Sequence, residues 1–227
     1  MLTDDPGTPG DGAWEINFAY LDERNERDRL RSFPHIDIAY GLGDHIQLKY
    51  ETGWVYTRSF DGESARSGPD NSLLGLKWRF LDQEKSGLNM SVYPQLEVEN
   101  SAGSVARGIV EAGPNLFLPL EVGYSFGKIE FVGEVGYQYL RTRADEWVIG
   151  LLAAILASES LELMAEVHST REKLLNGGDV VLNVGLRTPL SSNIRLLASV
   201  GTGLTNRPET PSFIAYFGVQ LVIGGKK

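Results

Sequence analysis

The sequence contains no cysteine, which excludes a disulfide framework, a thiolate metal site and a cysteine nucleophile. Histidine is scarce as well. His35, His45 and His168 are the only three, too few and too scattered for an all-imidazole metal centre, and no cofactor is expected. Basic residues are outnumbered, 21 against 30 acidic ones, for a net charge of −9, which argues against nucleic acid as a partner. No hydrophobic run reaches the roughly 18 to 20 residues of a transmembrane helix; the longest, from Trp147 to Ala157, stops short. Met1 is followed by polar residues, without the charged and apolar regions of a secretion signal, so an exported form is expected to have shed its signal peptide already. Mean hydropathy is −0.16, the value of a water-soluble protein. A membrane β-barrel has the same average, because only every second residue of a strand meets lipid.

What the sequence has in place of long apolar runs is alternation. From Trp14 to Tyr20 apolar residues fall on even positions and polar or small ones on odd positions. The pattern recurs at 36–40, 46–56, 74–80, 88–98, 116–124, 129–139, 161–167, 180–186, 194–200 and 213–221. In the segment 147–155 both faces are apolar. Period-two alternation of this kind predicts half-buried β-strands, here about twelve.

A soluble antiparallel sandwich also alternates, so the connections decide. Those at 41–44, 82–87, 126–127, 158–160 and 189–193 are short, while those at 22–32, 57–71, 100–110, 141–146, 169–178 and 203–212 are mostly longer. Short and long take turns without a break. An outer-membrane barrel obeys that rule, with short periplasmic turns and longer extracellular loops. Aromatics agree: Tyr20, Trp54, Tyr56, Tyr137, Tyr139, Trp147 and Phe213 fall near the long-loop rim, and Trp14, Tyr40, Trp78, Phe80, Tyr124 and Phe131 near the short-turn rim. Two such belts are interfacial girdles. The expected fold is therefore all-β, a closed antiparallel up-and-down transmembrane barrel in the bacterial outer membrane. Residues 1–12 form a periplasmic N-terminal extension, 13–223 the barrel and 224–227 a C-terminal tail. Arginines concentrate in the long connections, Arg24, Arg27, Arg29, Arg31, Arg58, Arg66, Arg107, Arg141, Arg143, Arg171 and Arg207. They are either a solvated rim or partners for lipopolysaccharide phosphates, which guanidinium binds bidentately; membrane lipid and lipopolysaccharide are the expected surroundings.

The run Leu2-Thr3-Asp4-Asp5-Pro6-Gly7-Thr8-Pro9-Gly10-Asp11-Gly12-Ala13-Trp14-Glu15-Ile16 resembles the mature N-terminus of the outer-membrane transporters named for the meta-pathway of phenol degradation. In that family a Thr-Asp-Asp-Pro segment leads into a Trp-Glu-Ile first strand. The resemblance implies a barrel that takes up small molecules, aromatic or hydrophobic ones among them. The ending departs from the usual pattern of barrels: the last strand runs through Ile223 into Gly224-Gly225-Lys226-Lys227 instead of closing on an aromatic residue. The turn-rich opening run is either a disordered lead-in or a partial plug whose Asp4 and Asp5 meet basic lumen residues.

With the apolar parity facing lipid, the other parity faces the lumen. It carries Glu15, Asp37, Glu51, Glu97, Glu99, Glu121, Glu130, Glu134, Glu162, Glu166 and His168, against Lys49, Lys77, Arg79, Arg187 and Arg195. Charges in a narrow tube must be paired or wet, so these residues form a salt-bridge network or line a narrow acidic path. A second route is lateral. Pro94 and Pro119 are expected at one height on neighbouring strands, where proline donates no ladder bond, as a bulge or kink that thins the wall. The functional expectation is a channel or transporter for small-molecule solutes, not an enzyme. The alternatives are an outer-membrane hydrolase acting on lipid or peptide, with His168, Ser169 and Glu166 as its best grouping, and an occluded structural barrel. His168 and Ser169 point to opposite faces of a strand, which disfavours the hydrolase.

Overall fold

The computed structural model describes residues 1–62, 64–173 and 178–225; the expected loops at 57–71 and 169–178 and the tail at 224–227 lie partly outside them. The alternating segments form β1 (Trp14–Arg24), β2 (Asp28–Leu42), β3 (Ile46–Ser59), β4 (Arg66–Pro69), β5 (Ser72–Leu81), β6 (Asn89–Val92), β7 (Gln95–Val98) and β8 (Asn115–Phe126). The second half supplies β9 (Ile129–Tyr139), β10 (Glu146–Ser158), β11 (Leu161–Arg171), β12 (Asp179–Pro189), β13 (Ile194–Gly203) and β14 (Phe213–Ile223). Sequence neighbours pair antiparallel, and β1 pairs with β14 from Trp14↔Ile223 to Arg24↔Phe213, closing the ring. β6 and β7 are two halves of one strand, and β4 is a short addition along the upper part of β3. The result is a twelve-strand closed barrel.

Burial fixes which face is which. Leu151 is 64% exposed, Phe131 55% and Phe18 53%, whereas Glu121 is 0%, Lys77 1% and Glu166 1% exposed. The exposed apolar side chains cover the barrel's outer surface on strand after strand, far more than the few hundred Å² of contiguous apolar patch a soluble protein shows. Lipid is the solvent that such a surface requires. The aromatic belts are in place: Trp14 lies 4.6 Å from Tyr40 and Trp78 5.7 Å from Phe80 at the short-turn rim, and Tyr137 lies 4.8 Å from Tyr139 and 5.0 Å from Trp147 at the other.

The short turns close tightly, with Gly43 and Gly127 at φ 65° and 61°, a left-handed conformation that favours glycine. The turn at 82–88 holds α1 (Gln83–Ser86), N-capped by Asp82. At the opposite end the segment after β7 folds through α2 (Ala102–Ala106). One expectation is corrected here. The charged stretch 22–32 is not a loop: β1 and β2 continue through it to a tight turn in which Asn25 Oδ1 accepts the N–H of Arg27 and of Asp28, both at 2.8 Å. Above the bilayer both faces of a strand meet water, so charge no longer marks the end of a strand.

Candidate functional site

The N-terminal segment lies inside the barrel. Its entry is set by glycines: Gly12 N–H donates to the Gly41 carbonyl at 3.0 Å and Gly41 N–H to the Ala13 carbonyl at 2.9 Å. A Cβ on Gly41 would collide with the Gly10 carbonyl. Deeper in, Pro6 is fully buried against Gly123, where a Cβ would lie 2.7 Å from Pro6 Cγ. Thr3 occupies the space that a side chain on Gly150 would need. Two anchors hold the segment. On the β5–β8 wall, Lys77 Nζ sits 3.1 Å from Asp4 Oδ1 and 3.2 Å from Glu121 Oε2, and donates to the Asp5 carbonyl; Ser91 Oγ donates to the same Glu121 carboxylate. On the β11–β12 wall, the Glu166 carboxylate accepts the N–H of Leu2 at 2.7 Å and of Thr3 at 2.8 Å, and the Asn183 amide at 2.6 Å. The disordered lead-in is thus corrected to an ordered insert. Burying Lys77 without partners would cost several kcal/mol, and Asp4 supplies one of them.

Each base expected in the lumen has an acidic neighbour. Lys49 bridges Asp37 at 3.3 Å and Glu51 at 3.1 Å, and His35 Nε2 lies 3.4 Å from Glu51. Arg187 meets Glu162 at 2.6 Å, Arg195 lies 3.9 Å from Glu15, and Arg79 lies 3.7 Å from Asp82. The remaining acids take neutral donors. Asn71 Nδ2 donates to Glu97 Oε1 at 2.6 Å, Gly113 N–H to Glu99 at 3.0 Å and Ser125 Oγ to Glu130 at 3.4 Å. Glu134 is buried directly opposite Glu121 in the β8–β9 ladder.

Counting charges alone missed the lumen aromatics. Tyr93 is fully buried with its ring 4.6 Å from Lys77 Nζ, lying over Gly75. Phe117 lies over Gly136 and Tyr216 over Gly218 in the same way. Inward glycines facing aromatics are a recurrent device of β-barrels, and the inner parity of the sequence already contained all three pairs.

The strand made of β6 and β7, between β5 and β8, carries the seam. Pro94 and Pro119 do stand at one level: Leu76 N–H donates to the Pro94 carbonyl at 3.0 Å and Tyr93 N–H to the Pro119 carbonyl at 3.1 Å. The return bonds of both pairs are missing because proline has no N–H. Register is unchanged across the break, with Val92↔Leu120 before it and Gln95↔Phe117 after it, so no bulge forms. Two ladder hydrogen bonds are absent at this level and no extra residue is inserted. Above it, at the long-loop end, a cavity of about 310 Å³ is framed by Asp70, Asn71, Glu97, Asn115 and Ile109.

No protein-family model and no curated protein matches the sequence. Solved structures do match in fold. The COG4313 outer membrane channel from Pseudomonas putida F1 superposes with a TM-score of 0.68 at 13% identity, covering 98% of this chain and 100% of that one. The KdgM porin gives 0.60 at 10% identity over 92% and 99%, and the NanC porin 0.60 at 9% identity over 92% and 98%. With the lipid-facing band and its two girdles, this decides the setting. The chain is a bacterial outer-membrane β-barrel.

Within this outer-membrane barrel the hydrolase grouping does not assemble. Glu166 is occupied by Leu2, Thr3 and Asn183. Ser169 Oγ accepts from Arg171 Nε at 2.9 Å, on the face opposite His168.

Proposed function

We propose that this barrel is a channel for small, largely apolar molecules that leave it sideways, through the wall at the level of Pro94 and Pro119. The observation that carries the reading is the seam. The carbonyls of Leu76 and Tyr93 face prolines on either side of one strand, so that strand has lost a bond to each neighbour at the same height. Each lost ladder bond weakens the wall by about 1 kcal/mol. Tyr93, Phe117 and Pro119 give this height an apolar inner surface within an otherwise charged lumen. The straight route is obstructed by residues 1–6 and gives an apolar solute nothing to bind. A sideways exit delivers it to the bilayer without crossing the paired charges below. That the similar solved barrels are described as channels and porins supports transport in general, and one of them was solved with a disordered oligogalacturonate.

Cells expressing the barrel are expected to accumulate a radiolabelled alkylbenzene faster than cells lacking it. Pro94→Ala with Pro119→Ala slows that uptake at least threefold, while single-channel current in a planar bilayer stays near baseline in both proteins. Equal uptake by the correctly folded double variant, or a large steady current through the parent, overturns the proposal.

A further inference from the structure

Among the buried polar atoms of the described residues that line the cavity above the seam, one has no hydrogen-bond partner. Asn71 is 6% exposed, and its Nδ2 is used twice, on Glu97 Oε1 at 2.6 Å and on the Glu111 carbonyl at 3.0 Å. Its Oδ1 is buried without a hydrogen-bond partner. An orphaned buried acceptor is destabilising, a cost that a donor brought by a ligand would remove. Beside it stand Asp70 and Glu97, neither of which has an ion-pair partner among the described residues. Arg143, the cation at the cavity edge, is engaged by Glu111 and Glu146. Burial and the nearby Glu97 and Glu51 hold the Asp70 carboxyl above the ordinary range, against the Asn71 N–H and His35 that lower it. The one buried polar atom of the described lining without a hydrogen-bond partner is therefore an acceptor, and the carboxylates without an ion pair, one of them held by the Asn71 and Asn115 amides, are negative.

The apolar part of the lining includes Val55, Ile109 and Leu140, beside the amides of Asn115 and Gln138. Val55 and Ile109 are 2% and 4% exposed, and Leu140 is 8%. No group of three or more metal-ligating side chains converges among the described residues, so a bare divalent ion does not fit. The size, about 310 Å³, is at the lower end of small-molecule sites, which start near 300 Å³.

We propose that this extracellular cavity is a binding site for a small organic cation, a protonated amine on an apolar or aromatic body. The ammonium donates to Asn71 Oδ1, Asp70 and Glu97, and the body rests on Val55, Ile109 and Leu140. The assignment is independent of the route a solute takes afterwards, because binding here requires neither the seam nor the N-terminal segment to move.

Isothermal titration of the full-length protein in detergent tests it, with 2-phenylethylamine, 2-phenylethanol and phenylacetate as matched probes. The amine is expected to bind at least tenfold more tightly than the alcohol, and the carboxylate not to bind. Glu97→Gln and Asp70→Asn should each weaken the amine at least fivefold and leave the alcohol unchanged. Asp70 lies outside the strands, so Asp70→Asn serves if Glu97→Gln does not fold. Equal affinity for amine and alcohol, binding of the carboxylate, or unaltered amine affinity in a variant that keeps the folded barrel's gel mobility overturns the proposal.

Discussion

The two walls that grip the N-terminal segment do so by different means. The β5–β8 wall uses a buried charge, Lys77, between Asp4 and Glu121, and it is the wall whose ladder is interrupted by Pro94 and Pro119. The β11–β12 wall uses a carboxylate, Glu166, that accepts backbone N–H groups, and its ladder is continuous from Thr170↔Asp179 to Glu162↔Arg187. The wall with the interrupted ladder is thus the one that holds the segment through a buried cation. This teaches that the inserted segment is part of that wall's stability: Asp4 offsets a desolvated lysine where two backbone bonds are missing.

The contrast can be broken most directly at Lys77. Lys77→Met leaves Glu121 and Asp4 facing an apolar side chain, and about 3–5 kcal/mol of stability should be lost, read as a lower urea midpoint in detergent. With its anchor gone, residues 1–6 should become cleavable by added protease. Glu166→Gln on the other wall keeps one acceptor oxygen, enough for the Leu2 N–H and the Asn183 amide, turns its NH2 towards the Thr3 N–H and forfeits the charge. A smaller loss of about 1–2 kcal/mol is expected, since the charged form of such a bond is roughly twice as strong. If Glu166→Gln costs as much as Lys77→Met in the same titration, the walls are equivalent and the contrast falls. Pro94→Ala with Pro119→Ala should move stability the other way, by about 1 kcal/mol per restored bond, with amide protection appearing at both new N–H groups. Tyr93→Phe should change least. It removes a buried hydroxyl without a hydrogen-bond partner and keeps the ring over Lys77, so stability should stay within about 1 kcal/mol or rise slightly.

Much of the barrel was legible in the sequence because alternation is a local code. Trp14 to Tyr20 states its own faces, and the inward positions of Glu121, Glu166 and Lys49 follow from their neighbours' parity. The upper ends of β1 and β2 were not legible in this way, because above the bilayer Asp22 to Ser32 no longer has one greasy face to announce a strand. The inserted segment was harder still. Thr3, Asp4 and Pro6 have no periodicity, and what orders them is a lysine and two glycines, Gly123 and Gly150, more than seventy positions away for the lysine and farther for the rest. Pro94 and Pro119 were placed at one height by counting residues, but whether they bulged depended on register, which only the paired strands reveal. Asn71 gave no signal of its own: its unsatisfied oxygen results from Glu97 and Glu111 being brought to its amide by distant chain.

The strands are unequal in length, and that has a consequence at the cell surface. β2 has 15 residues and β3 has 14, against 11 in β9. A membrane crossing needs about 9–11, and at about 3.3 Å per residue the longer pair stands several residues taller. The strand wall around the mouth is therefore uneven, reaching farther from the bilayer at β2 and β3 than at β9.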